Sequence, residues 1–461
     1  MSRAAERARC CHLSSGHAVF ALLLGSLCLA GSHPAAALPA FAAQTGLPCA
    51  ACHEGFPELT PLGRRFKLDG YIAGGSYPML DNIAAMVQAG FTQLHAKVPG
   101  GLAADYPSNN AWSVQQTSLF YGGAIDAAIG LGAFVQGTFD GVAHQFAWDN
   151  TDIRLAGHTR LMGKQLTYGF TFNNAPSVTD PWNTLPSWGY PFISSGLAPG
   201  PTAEIQMSAL AQAVAGAGGY AALNVTPSDT LYAETDLYKA LPNHTAFALG
   251  VGPEDPVAGP IPYWRLAVEH DWGKNSLEIG TSGLSAHPYP TGFVHGPTDS
   301  LVDAGVDGQY QYISGIHAAS VFGSYFHEFQ HYGASFAQGL TANRNDALNV
   351  VTVTANYLWN QTLGVSESIN DISGPADGVL YAADPVDGNA NGKPDTDSFT
   401  TELDYYPFNR GGPGLLPWLN MKLFLMDTIY TKFNGLARNY DGNGRSAQDN
   451  DVLFAGGWLT F

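Results

Sequence analysis

The chain of 461 residues carries 20 Lys and Arg against 38 Asp and Glu, a formal net charge of −18. So acidic a balance argues against a nucleic-acid partner, whose phosphates need a basic face. Only 13% of residues are charged while Gly, Tyr and Phe are abundant, and no apolar run beyond residue 38 is long enough for a membrane helix, so any crossing would have to be made by strands.

Arg3, Arg7 and Arg9 precede an apolar run from Ala18 to Ala30 that is too short to span a bilayer, and Ala35, Ala36 and Ala37 then offer an A-x-A cleavage site. Residues 1–37 therefore read as a secretory signal peptide. Cys28 follows Leu27, where lipidation wants a small residue, and is read as part of the apolar run. Losing three Arg and one Glu with this segment takes the net charge from −18 to near −20. Cys49 and Cys52 are the cysteines that remain, so the exported chain has no disulfide framework.

Residues 38–83 hold Cys49-Ala50-Ala51-Cys52-His53, the attachment signature of c-type haem. Thiols at i and i+3 can reach both vinyl groups of one porphyrin, and the adjacent imidazole supplies the proximal iron ligand. A zinc site would need a second ligand pair, and a redox CxxC would sit in a βαβ setting; neither is present in the sequence. The expected cofactor is one covalent haem c on Cys49, Cys52 and His53. A short helix is expected from Thr60, an N-cap, with Pro61 at its first position. Arg64, Arg65 and Lys67 on that helix could neutralise haem propionates, but a charge run usually faces water, and a solvated face is the expected reading. So short a segment rarely folds unaided. Haem supplies a core but leaves one face uncovered, and the lumen of a barrel is the nearest cover: the segment is expected to plug it.

From residue 84 to Phe461 the period is two. In Tyr263–Trp272, Trp264, Leu266, Val268 and Trp272 share one face while Arg265, Glu269 and Asp271 share the other. Leu231, Ala233 and Leu237 oppose Glu234 and Asp236; Val351, Val353, Ala355, Tyr357 and Trp359 oppose Thr352, Thr354 and Asn356. A soluble β-sandwich would also alternate. Aromatics at strand ends, charge confined to one face and a final strand ending on Phe461 favour a transmembrane β-barrel, with about 16 strands expected. The fold class is all-β, with residues 84–461 as the barrel and 38–83 as its short α-helical haem plug.

The stretch Phe41-Ala42-Ala43-Gln44-Thr45-Gly46-Leu47-Pro48 running into the CxxCH motif, and continuing through Phe56-Pro57-Glu58-Leu59-Thr60-Pro61-Leu62-Gly63-Arg64 to Tyr71, resembles the start of the fused monohaem cytochrome–porins of outer membranes. The ending from Asn439-Tyr440-Asp441-Gly442 to Asp449-Asn450-Asp451 and the final aromatic strand are also similar; the middle shares only texture. The resemblance implies an electron conduit across the outer membrane of a Gram-negative bacterium, fed from outside, with extracellular Fe(II) as one donor, and passing electrons to a periplasmic carrier such as a soluble cytochrome. The alternatives are a porin-like barrel whose haem only completes the plug, and a soluble exported haem enzyme.

A haem held by His53 alone would leave one iron position open. In the first strand Val87, Ala89 and Phe91 have lipid-face parity, so Met86, Gln88 and Thr92 point inward. Met86 is the expected sixth ligand or a packing residue, with Met79 and His158 as rivals. Asp387, Asn389, Asn391 and Asp395 have the spacing of a calcium loop, but Ser398 stands at the twelfth position instead of Glu; Asn439, Asp441 and Asn443 make a weaker case. Asx-rich loops also give such strings without metal. His327 and His331 are read as ordinary histidines of a loop or lumen.

Overall fold

The computed structural model describes residues 39–72, 78–98, 100–103, 105–251, 256–381, 389–414, 416 and 418–461. The signal peptide expected over residues 1–37 lies outside them.

The N-terminal segment comprises α1 (Pro39–Thr45), α2 (Cys49–Cys52), a hairpin of β1 (His53–Gly55) and β2 (Glu58–Leu59), and α3 (Pro61–Leu68). Then follow β3 (Ile83–Leu94), β4 (Asn110–Asp126), β5 (Leu131–Asp140), β6 (Gln145–Leu161), β7 (Lys164–Asn173), β8 (Val214–Asn224), β9 (Asp229–Ala240) and β10 (Ile261–Trp272). The second half adds β11 (Asn275–Ala286), β12 (Ser300–Ile313), β13 (His317–His331), β14 (Asn345–Trp359), β15 (Leu363–Ser373), β16 (Thr396–Tyr405), β17 (Asn420–Lys432) and β18 (Val452–Thr460). From β3 onward each strand pairs antiparallel with its sequence neighbours, and β18 pairs with β3, closing a 16-stranded barrel without an edge.

The alternation fixes which face is which. Trp264, Leu266 and Val268 are exposed on the outer wall, as are Leu231, Leu237, Val353, Tyr357 and Trp359. Arg265, Glu234, Asp236 and Thr354 are buried inside. An apolar exterior with a polar, charged interior is the pattern of a barrel standing in lipid. Trp272, Tyr310, Tyr357, Trp359 and Tyr405 form an exposed aromatic row toward the end where connections are short: 162–163, 273–274, 314–316 and 360–362. Met162 and Gly163, at φ 50° and 78°, make the first of these in the two-residue type I′ form, which matches strand twist. Connections at the other end are long, among them 174–213, 287–299, 332–344 and 433–451. Short turns mark the periplasmic rim of outer-membrane barrels, and β3 starts and β18 ends at that rim.

Two pieces fill the lumen. The connection 174–213 folds inward, burying Ala175, Val178, Leu185, Ile205 and Met207. Asp180 at its bend accepts the backbone N–H groups of Trp182, Thr184 and Leu185. The same carboxylate lies 3.2 Å from Arg265, which also bridges Glu278 and Asp307 at 3.2 and 2.8 Å. Neutralising the guanidinium with three carboxylates makes its burial tolerable.

The N-terminal segment is the other piece, and here the solvated reading of its charge run fails for two of three residues. Arg65 is exposed, but Arg64 and Lys67 are buried. Arg64 pairs with Glu269 at 2.8 Å and donates to Gln309, Gln311 and Ser276 on the wall. Lys67 Nζ donates to Val178 O and Asp180 O, both at 2.8 Å. Set in the lumen, the helix turns Arg64 to the wall and Lys67 to the inward connection, and leaves Arg65 to water.

Candidate haem and electron-transfer site

Thr60 starts α3: its hydroxyl accepts from Gly63 N at 3.3 Å and donates to Ala51 O at 2.7 Å, tying the two helices together. Their approach is close enough that a Cβ at Gly63 would stand 2.3 Å from Cys52 O. Glycine is what permits it. On the other side Ala50 N donates to Asn409 O, in the connection between β16 and β17, so the CxxCH turn sits at the short-turn rim.

Cys49 and Cys52 are buried and not joined to each other. Burial pushes the Cys49 thiol up to about 12 and the Cys52 thiol up to about 11. These are not the low-pKa thiolates of a dithiol redox centre. His53 Nδ1 lies 3.2 Å from Pro57 O. A carbonyl only accepts, so Nδ1 carries the proton and Nε2 keeps its lone pair, which is the metal-binding tautomer. Burial pushes this imidazole down to about 4, so it is neutral at neutral pH.

A cavity of about 500 Å³ opens beside these groups, within the range of pockets that take a cofactor. Cys49, Cys52, His53 and Met86 all line it. Met86 is 3% exposed and stands where its parity on β3 predicts; its Sδ accepts from Gln88 Nε2 at 3.7 Å. Phe41, Phe56, Phe66, Phe120, Trp188 and Trp458 give the cavity aromatic walls. Lys67 lines it too, 5.0 Å over the Trp188 ring, and burial with the nearby Arg154 charge pushes its amine down to about 7. Trp458 Nε1 is buried without a hydrogen-bond partner among the described residues. The donor set fits a haem: two thiols not joined in a disulfide, one oriented imidazole, one thioether, and an orphan N–H and an amine suited to carboxylates.

Other expected groups stand elsewhere. His158 points inward but sits half-exposed at the rim, 3.6 Å from Asp69, and does not line the cavity. Nothing is described of the Met79 side chain. His327 and His331 face outward on β13, not into a loop or the lumen, and contact Asn349 and Asn345 on the next strand. Of the proposed calcium ligands, Asp387 lies outside the described residues. Asn389 and Asn391 both accept from Lys393 N, and Asp395 accepts from Gly374 N, so these oxygens brace the loop. In the second string Asp441 accepts from Asn443 N and Arg445 N. Sequence reading missed the inward connection 174–213, which supplies Trp188, Phe192, Ile193 and Asn183 to the cavity. Its signal was composition: a long connection with Trp182, Leu185, Trp188 and Ile193 is too apolar to lie in water.

No protein-family model and no curated protein matches the chain. Among solved structures it is similar to Pseudomonas putida OprB at high pH, with 12% identity over 83% of this chain and 95% of that one and a TM-score of 0.44. It is similar to an anion-selective porin from Comamonas acidovorans at 11% identity, over 82% of this chain and 98% of that one, with TM-score 0.44. A loop-deletion form of OmpT, an outer-membrane protein of Vibrio cholerae, gives 9% identity, the same two coverages and TM-score 0.41.

Proposed function

We propose that this porin-like barrel is an outer-membrane electron conduit whose plug carries one covalent haem c and delivers electrons to a periplasmic carrier such as a soluble cytochrome. Extracellular Fe(II) is the donor class that the family resemblance implies. One observation carries the reading: Cys49, Cys52, His53 and Met86, drawn from two separate segments, line one aromatic-walled cavity. Bound there, haem would supply a one-electron iron couple. Cys49 and Cys52 would hold it, and His53, fixed by Pro57 O, would present Nε2 as the proximal ligand. Met86 would close the sixth position, with Gln88 orienting its thioether. Lys67 and the Trp458 indole N–H would take up the propionates, and the aromatic walls would exclude water. The rim position of the CxxCH turn suits delivery to a periplasmic carrier.

The wall argues against a soluble haem enzyme, since its exposed Trp, Phe, Leu and Ile side chains need lipid. The remaining alternative is a porin-like barrel whose haem only completes the plug. It is favoured by the anchoring of Arg64, which holds the plug to the barrel wall without any cofactor contact. Protein produced with c-haem maturation should give one haem per chain by pyridine haemochrome, retained through acid–acetone extraction; extractable haem, or two per chain, rules out this site. Reduction of that haem in intact cells by an external reductant separates conduit from structural plug.

A further inference from the structure

The cavity beside Cys49 and His53 does not end at its aromatic walls. Its lining follows the inward side of β5 from Phe134 through Gln136 to Asp140, the last residue of that strand at the long-loop end. Six residues at about 3.3 Å each, on a strand tilted near 45°, span roughly 14 Å of depth. The inward positions change character on the way. Phe134 packs against Phe120, with ring centroids 5.7 Å apart, and then Gln136, Thr138 and Asp140 follow. Asp149 on β6 lines the same polar lobe. Asp140 is half-buried and the turn after it exposes Ala143 and His144, so the lobe reaches solvent on the extracellular side.

Two independent features of the lobe point to a cation. Asp149 Oδ2 accepts from Thr138 Oγ1 at 2.6 Å and its Oδ1 from Asn150 N at 2.7 Å; Asp140 Oδ1 accepts from Val142 N and Ala143 N at 2.7 and 2.8 Å. These bonds hold both carboxylates in place without neutralising them, and among the described residues no basic group forms a salt bridge with either. Elsewhere in the lumen Asp152 and Glu402 have Arg154 and Lys422 at 2.7 Å. Asn183, on the inward connection, is the second feature. It is 2% exposed and lines the cavity, and its Oδ1 has no hydrogen-bond partner among the described residues. A buried acceptor oxygen calls for a donor. A hydrated cation brings charge for the carboxylates and water protons for the amide oxygen.

We propose that this lobe is the path by which a small hydrated cation enters from outside and reaches the aromatic-walled part of the cavity, with Asp140 and Asp149 selecting for positive charge. The proposal rests on the electron-conduit reading and narrows its donor to a small hydrophilic cation. Two carboxylates set among neutral amides attract such an ion without caging it. Transit requires that balance, since a site that binds tightly does not release. A cleft lined by one sign of charge also raises the local concentration of the opposite ion.

The test is thiol labelling of Gln136→Cys, inside the lobe, in outer membranes holding the full chain produced with c-haem maturation. A cationic methanethiosulfonate and an anionic one of similar size are compared, each rate divided by its rate with a small thiol in solution. Repeating the assay in the Cys49→Ala/Cys52→Ala chain keeps the readout where no haem is attached, so failure of the haem reading and failure of the entry path give different results. The cation should label about tenfold faster or more. Asp140→Asn with Asp149→Asn, which keeps the hydrogen-bond acceptors, should bring the two rates together. A Cβ at Gly196 would stand 3.4 Å from Gln115 and 3.5 Å from Val142, so Gly196→Trp should fill the lobe and stop both reagents, with heat-modifiable migration showing that the barrel still forms. Equal rates or no labelling in the parent, a preference that survives both asparagines, or undiminished labelling in Gly196→Trp would overturn the proposal.

Discussion

His53 and Met86 illustrate how neighbours set the state of single side chains. Pro57 O selects the tautomer of one, and Gln88 steers the thioether of the other. Met86→Ala should change the low-spin haem spectrum and lower the potential, because a thioether ligand favours the reduced iron. An unchanged spectrum would leave Met86 as packing. Lys67 carries a pH prediction, best measured by urea unfolding in the Cys49→Ala/Cys52→Ala chain, which cannot attach haem. Its amine falls from an ordinary value of 10.5 to about 7 on folding. The folded chain therefore holds fewer protons than the unfolded chain between those values, and stability gains with rising pH. Relative to Lys67→Met, the parent should become more stable from pH 7 toward pH 10.5. A flat difference across that window would show that the amine is not desolvated as described. For Arg265, substitution by Met leaves Asp180, Glu278 and Asp307 uncompensated and should cost about 3–5 kcal/mol, read by the same unfolding measurement.

At the scale of elements, the strands were legible because a half-buried wall forces period two, and Arg265 against Trp264 announces which side is wet. The helix after the CxxCH motif was equally readable from Thr60 and Pro61. What was not readable was its surroundings. Arg64 and Lys67 look like any surface charges in sequence, and only the lumen, built by residues hundreds of positions away such as Gln309 and Gln311, turns them into anchors. The connection 174–213 was missed for a related reason: it has neither period, so composition was the one clue to its burial. The inward orientation of Met86 was legible from the parity of β3. The contact between α2 and α3 gives a further test. Gly63→Val should push the α3 helix off Cys52 O and reduce haem content severalfold, while heat-modifiable gel migration shows that the barrel still forms. Full haem content in that variant would mean the two helices are not packed as described.

For the whole molecule, the closed sheet, the apolar exterior and the two inward pieces make a barrel that is filled rather than open. The detergent-solubilised protein should give a β-type circular dichroism spectrum and heat-modifiable migration; recovery as a soluble periplasmic protein without detergent would contradict the fold's setting. Filling the lumen also bears on function, since a plugged barrel should conduct small solutes poorly. The most direct test uses proteoliposomes holding the haem-loaded chain, with a membrane-impermeant reductant outside and a soluble cytochrome trapped inside. Reduction of the trapped cytochrome should depend on the chain and vanish with Cys49→Ala/Cys52→Ala; equal reduction by both chains, or none with the haem-loaded parent, would contradict the electron-conduit reading.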